Sequence, residues 1–108
     1  MIVEVTQAQL EHRLTEPGAF LVDFWSPVCG RCYALRPQLE QAFVGDETSA
    51  VAVNAFEEPG LVERFDIESL PTVLLIDGGE VRRRFTDPIL STDVVSALHA
   101  LQQPTIVG

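Results

Sequence analysis

Cys29 and Cys32 are the residues of this chain best suited to chemistry, and the chain contains no other cysteine. They follow the apolar run Phe20–Trp25, whose length and composition predict a β-strand. Pro27 ends that strand, because proline cannot donate a ladder hydrogen bond. A helix is predicted to begin at Gly30. A C-x-x-C pair between a strand and a helix indicates redox chemistry.

The predicted helix continues towards residue 43 and determines how the two sulfurs differ. Cys29 falls at its N-terminus, where free N–H groups and the positive end of the helix dipole favour a thiolate. Cys32 lies one turn further in, on the same face, where Cβ atoms are about 5–6 Å apart. The pair can therefore close into a disulfide without refolding. We expect Cys29 to attack a substrate disulfide and Cys32 to resolve the mixed disulfide.

Other side chains of this helix are expected to face a core, because they recur at helical spacing. They are Leu35, Leu39, Ala42 and Phe43. Pro37 lies inside the same pattern and should kink the helix.

Two other interpretations of the cysteines remain open at this point. A structural disulfide is possible, but so short a loop would constrain the unfolded chain little. Half of a zinc site is also possible, but the only histidines, His12 and His99, lie far away in sequence.

Composition limits the class of protein and its partners. The 108 residues suit one domain, and 46% hydrophobic with 21% charged residues indicates a globular chain. A net charge of −9 makes nucleic acid an unfavourable partner, because phosphate binding needs a basic face. No apolar run is long enough to cross a bilayer and no secretory signal is visible, so we expect a cytoplasmic protein.

The order of the remaining elements predicts an α/β fold. Strand, helix, strand, helix and strand alternate from residue 20 to residue 76, which implies a parallel centre of the sheet. Thr6 and Gln9 form a capping-box pattern, and Asp77-Gly78-Gly79 indicates a hairpin.

Residues 82–84 are three consecutive arginines. We expect them on a charged edge strand that blocks aggregation or, alternatively, on a patch for an acidic partner. Residues 45–47 are predicted to form a loop, and residues 102–108 to be frayed.

The chain resembles the thioredoxin family over nearly its whole length. The motifs that carry the resemblance are VDFW at 22–25, C-G-R-C at 29–32, Pro37, LPT at 70–72 and DGGEV at 77–81. They occur in the order and at the spacing of the family. The resemblance implies one thioredoxin-like domain over residues 1–108, with a mixed five-stranded sheet flanked by about four helices.

Asp23 is the third candidate catalytic residue. It shares one face of its strand with Leu21 and Trp25, so we expect it to be buried. Burial should raise the pKa of its carboxyl group. The resemblance implies that Asp23 transfers a proton to or from Cys32, which a resolving thiol requires.

The resemblance also implies a set of residues that contact substrate. They are Trp25, Gly30, Arg31, Leu70 and Pro71. It implies that Pro71 is cis and that the backbone before it pairs with an extended substrate segment.

Four positions depart from the usual family pattern. Val28 replaces a tryptophan, Arg31 a proline, Asp87 a glycine, and Ala52 a lysine of the middle strand. We expect the charge of Arg31 to stabilise a Cys29 thiolate, which raises the reduction potential and makes the pair a weaker reductant. Asp87 would oppose this effect.

The sequence therefore predicts an enzyme that reduces protein disulfides by thiol–disulfide exchange. No bound cofactor or metal is expected, and the resemblance implies client proteins with disulfides and a thioredoxin reductase as partners of a monomer. The alternative is a thioredoxin-like module that binds partners at Pro71, with redox turnover incidental.

Overall fold

The computed structural model describes residues 2–43 and 49–103. In these residues, the strands and helices follow one another in the predicted order. They are β1 (Val3–Glu4), α1 (Gln7–Arg13), β2 (Phe20–Trp25), α2 (Gly30–Ala42), β3 (Ala50–Asn54), α3 (Pro59–Arg64), β4 (Thr72–Asp77), β5 (Glu80–Thr86) and α4 (Ser91–Gln102).

The strands form one mixed five-stranded sheet in the order β1-β3-β2-β4-β5. β1, β3 and β2 are parallel, but β4 runs antiparallel to β2 and β5 antiparallel to β4. The predicted parallel centre is therefore correct for β2 and β3 and wrong for β4. β2 is therefore central, and Asp23 lies between Ala52 of β3 and Val73 of β4. This architecture confirms the predicted thioredoxin fold.

Alternate residues of β2 supply two separate apolar cores, one on each face of the sheet. Leu21 packs with Leu35 and Leu39 of α2 on one face. Phe20 and Phe24 belong to the core on the opposite face. Asp23 shares the α2 side with Leu21, as the period of two predicts.

Helix α2 is anchored by a narrower apolar stripe than expected. Leu35 and Leu39 are buried, and Phe43, which caps the helix, is 4% exposed. Ala42 is exposed, so its predicted core position is wrong: helical rotation places it beside the stripe. Pro37 lies inside α2 without ending it.

Several local predictions are confirmed at the ends of elements. Thr6 and Gln9 form the capping box that begins α1. Gly78 and Gly79 both have positive φ in the turn between β4 and β5, as a two-residue hairpin turn requires. β5 is an edge strand with exposed arginines. The predicted fraying is wrong at Gln102, which is the last residue of α4 and donates from Nε2 to the backbone O of Ala19 and to Oγ of Ser49. The loop predicted at 45–47 lies outside the described residues, as do residues 104–108 of the predicted frayed end.

Candidate active site

Cys29 and Cys32 lie where β2 connects to α2 and are joined as a disulfide, with a Cα–Cα distance of 5.3 Å. Cys29 is the N-cap of α2, and the backbone N–H of Cys32 donates to Cys29 Sγ at 3.1 Å. Cys29 is half-buried, whereas Cys32 is only 2% exposed. The two sulfurs therefore differ in the way the sequence predicts: one sits at the open helix end and the other faces the core.

Asp23 is 1% exposed, so the predicted burial is confirmed. Its Oδ2 accepts a hydrogen bond from Nε of Arg36 at 3.0 Å, and Oδ1 has no hydrogen-bond partner among the described residues. Burial raises the pKa of Asp23, and the charge and hydrogen bond of Arg36 lower it only in part. The carboxyl group is therefore poised to take up a proton more readily than an exposed aspartate.

Arg36 is the residue at this site that the sequence analysis missed. Its guanidinium also lies 3.6 Å from Oε1 of Glu4 and 5.3 Å from the ring centre of Trp25. The signal that could have found it is its position four residues after Cys32, on the same face of α2. A basic side chain on the sheet-facing side of a helix needs a carboxylate, and Asp23 is the buried one.

Glu4 shares the same guanidinium from the opposite side. Burial raises the pKa of Glu4, Arg36 opposes that rise, and the Asp23 charge reinforces it. The Trp25 indole N–H also favours the charged form of Glu4, although no hydrogen bond of ordinary length and angle joins them. Two carboxyl groups thus compete for one cation.

Leu70 and Pro71 immediately precede β4, and the peptide bond between them is cis, as the resemblance implies. Thr72, which follows them, pairs with Phe24 near the end of β2, and this places residues 70–71 at the same end of the sheet as the cysteines. Pro71 is buried and Leu70 half-buried. Pro71 and Arg31 line a common groove of about 250 Å³.

The remaining residues predicted to contact substrate are accessible at this end of the sheet. Gly30 is the exposed first residue of α2, and Trp25 is half-buried with its ring edge-on to Tyr33, the centroids 6.1 Å apart. Val28, which departs from the family pattern, is 78% exposed beside them. The surface around the disulfide is therefore partly apolar.

Arg31 forms an ion pair with Asp87 across the groove, joining the first turn of α2 to a second cis bond, Asp87–Pro88. The side chain of Arg31 is 76% exposed and that of Asp87 33% exposed. Arg31 therefore already has a charged partner when the disulfide is closed, and this partner reduces the stabilisation that Arg31 can give to a Cys29 thiolate.

Other candidate chemistry is weaker in the described part of the chain. His12 and His99 are exposed, and residues 2–43 and 49–103 contain no cluster of three histidine, cysteine, aspartate or glutamate side chains suited to a metal ion. No helix among the same residues is long and apolar enough to cross a membrane.

A C-x-x-C disulfide at a helix N-terminus, a buried aspartate in the preceding strand and a cis-proline at the same end of the sheet together define a thiol–disulfide exchange protein with a thioredoxin fold. Similarity to known proteins supports the same class. The thioredoxin family model matches residues 1–100. A thioredoxin of Bacillus subtilis is 33% identical over 82 residues, covering 74% of this chain and 78% of that protein.

Two further matches extend the comparison. A thioredoxin of Chlorobaculum thiosulfatiphilum is 42% identical over 70 residues, covering 63% of this chain and 65% of that protein. The solved structure of a mutant thioredoxin from Halobacterium salinarum superimposes with a TM-score of 0.83 at 20% identity, covering 96% of this chain and 93% of the other, which supports the fold. The chain belongs to the thioredoxin family, and it is a thiol–disulfide oxidoreductase.

The first prediction concerns which thiol reacts. In the reduced protein, iodoacetamide should label Cys29 before Cys32, because Cys29 is accessible and its sulfur lies at the helix end. Mass spectrometry of samples quenched early measures the label on each residue. In urea-unfolded protein the preference should disappear, and faster labelling of Cys32 in the folded protein would reverse the assigned roles.

The second prediction concerns the stability of the buried carboxyl group. Burial raises the pKa of Asp23 in the folded protein above its ordinary value of 3.8, so the folded state favours the neutral carboxyl group. The free energy of folding gained from this preference is fully present below pH 3.8 and is lost as the pH rises through the folded-state pKa. Asp23→Asn should therefore make the oxidised protein more stable at pH 7, on the order of 1 kcal/mol, with little gain near pH 4. Arg36 limits the gain, since it loses its buried partner.

Urea unfolding at the two pH values measures this difference. Glu63→Gln, at an exposed position of α3, is the matched control and should change stability by less than about 0.5 kcal/mol. A variant that is less stable than the wild type at pH 7, and closer to it near pH 4, would show that the Arg36 pairing outweighs the burial of Asp23.

The third prediction concerns the Arg31–Asp87 ion pair at the groove. Asp87→Asn should free the Arg31 guanidinium to stabilise a Cys29 thiolate and raise the reduction potential by about 10 mV. Arg31→Pro should lower the potential by roughly 10–20 mV. Equilibration against a dithiothreitol redox buffer, followed by Trp25 fluorescence, measures both.

Glu80→Gln makes the same change of net charge at the far end of β5 and is the control for Asp87→Asn. Both effects should shrink in about 1 M salt, where the Debye length is about 3 Å. Potentials that do not move in opposite directions would show that this ion pair does not act on Cys29.

Proposed function

We propose that this chain reduces disulfides of client proteins, with Cys29 as the attacking thiol and Cys32 as the resolving thiol. The observation that carries the assignment is the asymmetry of the pair. Cys29 Sγ accepts a backbone N–H at the helix N-terminus, an environment that stabilises a thiolate, while Cys32 is buried beneath it.

The proposed reaction balances in two exchanges. The Cys29 thiolate attacks one sulfur of the client disulfide, a Cys29–client bond forms, and the other client sulfur leaves as a thiolate that takes up a proton. Cys32 then loses its proton and attacks Cys29 Sγ, the Cys29–Cys32 bond forms, and the Cys29–client bond breaks. The second client sulfur leaves as a thiolate that takes up a proton. The client gains two electrons and two protons, and the dithiol is oxidised to the disulfide.

Asp23 is proposed as the base for the second exchange. The Cys32 thiol is buried, so water has little access to its proton. Asp23 lies on the α2 side of the sheet, and its contact with Arg36, one helical turn after Cys32, places it beneath the same face of the helix. Because its pKa is raised, it can hold the proton until the client thiolate or water removes it.

Client recognition is proposed at the surface formed by Trp25, Gly30, Arg31, Leu70 and Pro71. Leu70 and Pro71 lie immediately before β4, at the end of the sheet where the disulfide lies. An extended client segment could add to that backbone as a strand, which provides affinity without requiring one sequence. The Arg31–Asp87 ion pair at the groove would favour clients able to satisfy both charges.

Electrons for the next cycle must come from another protein, since the two cysteines are the redox group in this proposal. The family suggests a thioredoxin reductase as that donor. We further propose that residues 1–108 form one domain that acts as a cytoplasmic monomer, on the basis of the single sheet and of the cysteines, which a reducing compartment keeps available.

The test is reduction of insulin disulfides with dithiothreitol as electron donor. The wild type should accelerate reduction, and Cys29→Ser should abolish the acceleration because no attacking thiolate remains. Cys32→Ser should lose turnover and accumulate a mixed disulfide with insulin, visible in non-reducing gels and mass spectra.

The alternative of a binding module makes the opposite prediction. Such a module would bind clients without accelerating insulin reduction, and Cys32→Ser would trap nothing. Trapping through Cys32 in a Cys29→Ser variant, with none in Cys32→Ser, would reverse the two roles.

A further inference from the structure

Arg36 is a half-buried cation in contact with Asp23, and the family assignment gives it no role. Its side chain is 21% exposed, compared with 76% for Arg31 on the same helix. Its Nε holds Oδ2 of Asp23 at 3.0 Å, a charge-assisted hydrogen bond in a site with little water. The contact is part of the interior of the protein.

The sheet itself offers Asp23 no polar partner. Its neighbours on the adjoining strands are Ala52 and Val73, both fully buried. The hydrogen bond that Asp23 makes comes from α2, the helix that also carries Cys32. Any change in the position of the helix therefore moves the thiol and the partner of the carboxylate together.

The guanidinium is itself held in place from two other sides. The Trp25 ring lies 5.3 Å from its central carbon, and Glu4 of β1 lies 3.6 Å from Nη2. A planar cation stacked on an aromatic face and paired at its outer end has little freedom to turn. Arg36 is therefore fixed independently of Asp23.

We propose that Arg36 is a positioning residue for the resolving step: it fixes Oδ2 of Asp23 and leaves Oδ1 as the oxygen that accepts the proton of Cys32. This proposal rests on the proposed roles of Cys32 and Asp23. Oδ1 is the oxygen without a hydrogen-bond partner among the described residues, so a proton can be placed there without breaking the pair with Arg36.

Arg36 also sets the pH range in which Asp23 can act as a base. The charged groups that interact with Asp23 are Arg36 from α2 and, beyond it, Glu4 from β1. Without Arg36, burial alone would act on Asp23, its pKa would rise further, and more of it would be protonated at neutral pH. A protonated Asp23 cannot accept the proton of Cys32.

The experiment mixes reduced protein with 5,5′-dithiobis(2-nitrobenzoate) and follows thionitrobenzoate release by stopped-flow absorbance. Attack by Cys29 releases the first thionitrobenzoate, and displacement by Cys32 releases the second. Arg36→Met should slow the second phase about tenfold at pH 7 and bring it to within about twofold of the wild type near pH 9. The first phase should be unchanged, because the attacking thiol does not use Asp23.

Two variants separate positioning from a merely structural effect. Arg36→Lys keeps the positive charge but not the planar guanidinium, so it should move the pH profile of the second phase back towards that of the wild type without restoring it fully. Arg64→Met is the matched control: Arg64 also lies over an aromatic ring, Phe65, and pairs with a carboxylate, Glu11, but on α3. It should leave both phases unchanged.

The outcomes distinguish this inference from the function on which it rests. If the wild type shows no second phase, the proposed role of Cys32 is wrong. If the wild type shows both phases but Arg36→Met has the same pH profile as Arg64→Met, only the role of Arg36 is wrong. An equal loss of rate at every pH, not restored by Arg36→Lys, would also overturn it, since it would indicate disruption of α2.

Discussion

The burial of one carboxyl group beneath the helix that carries the cysteines is the constraint on which the site depends. Asp23 lies in the central strand of the sheet, where water cannot solvate its charge. The register of β2 determines this position, because a shift by one residue would exchange it for Phe24. The fold retains an ionisable group there and supplies one cation for it from α2. Chemistry, rather than stability, is the reason that such an arrangement makes physical sense.

Helix α2 brings the parts of the site together through its periodicity. Its N-cap is Cys29, its first turn buries Cys32, and the next turn presents Arg36 to Asp23. Leu35 and Leu39 pack in the same core as Leu21 of β2, so the helix is held against the sheet on the side that carries the carboxyl group. Apolar packing, which salt does not screen, therefore holds the helix that carries the thiol and the cation against the strand that carries the carboxylate.

The parts of the site that local sequence could predict are those that local geometry determines. The C-x-x-C pair at the helix start, the capping box of α1 and the glycine turn between β4 and β5 each follow from a few neighbouring residues. Arg36 could not be assigned in the same way, because its contact with Asp23 spans 13 residues and depends on how α2 lies on the sheet. The pairing of Arg31 with Asp87 spans 56 residues and is still less local.

Two arginines five residues apart on one helix therefore have different physical effects. Arg31 is exposed, so its pairing with Asp87 is screened by salt and exchanges with water. Arg36 is largely enclosed between Trp25 and Asp23, where a charge acts through protein rather than through solvent. An exposed charge such as that of Arg31 can affect which clients bind and can shift the redox potential slightly. A charge in the interior acts on proton transfer itself, because it determines when the buried carboxyl group is ionised.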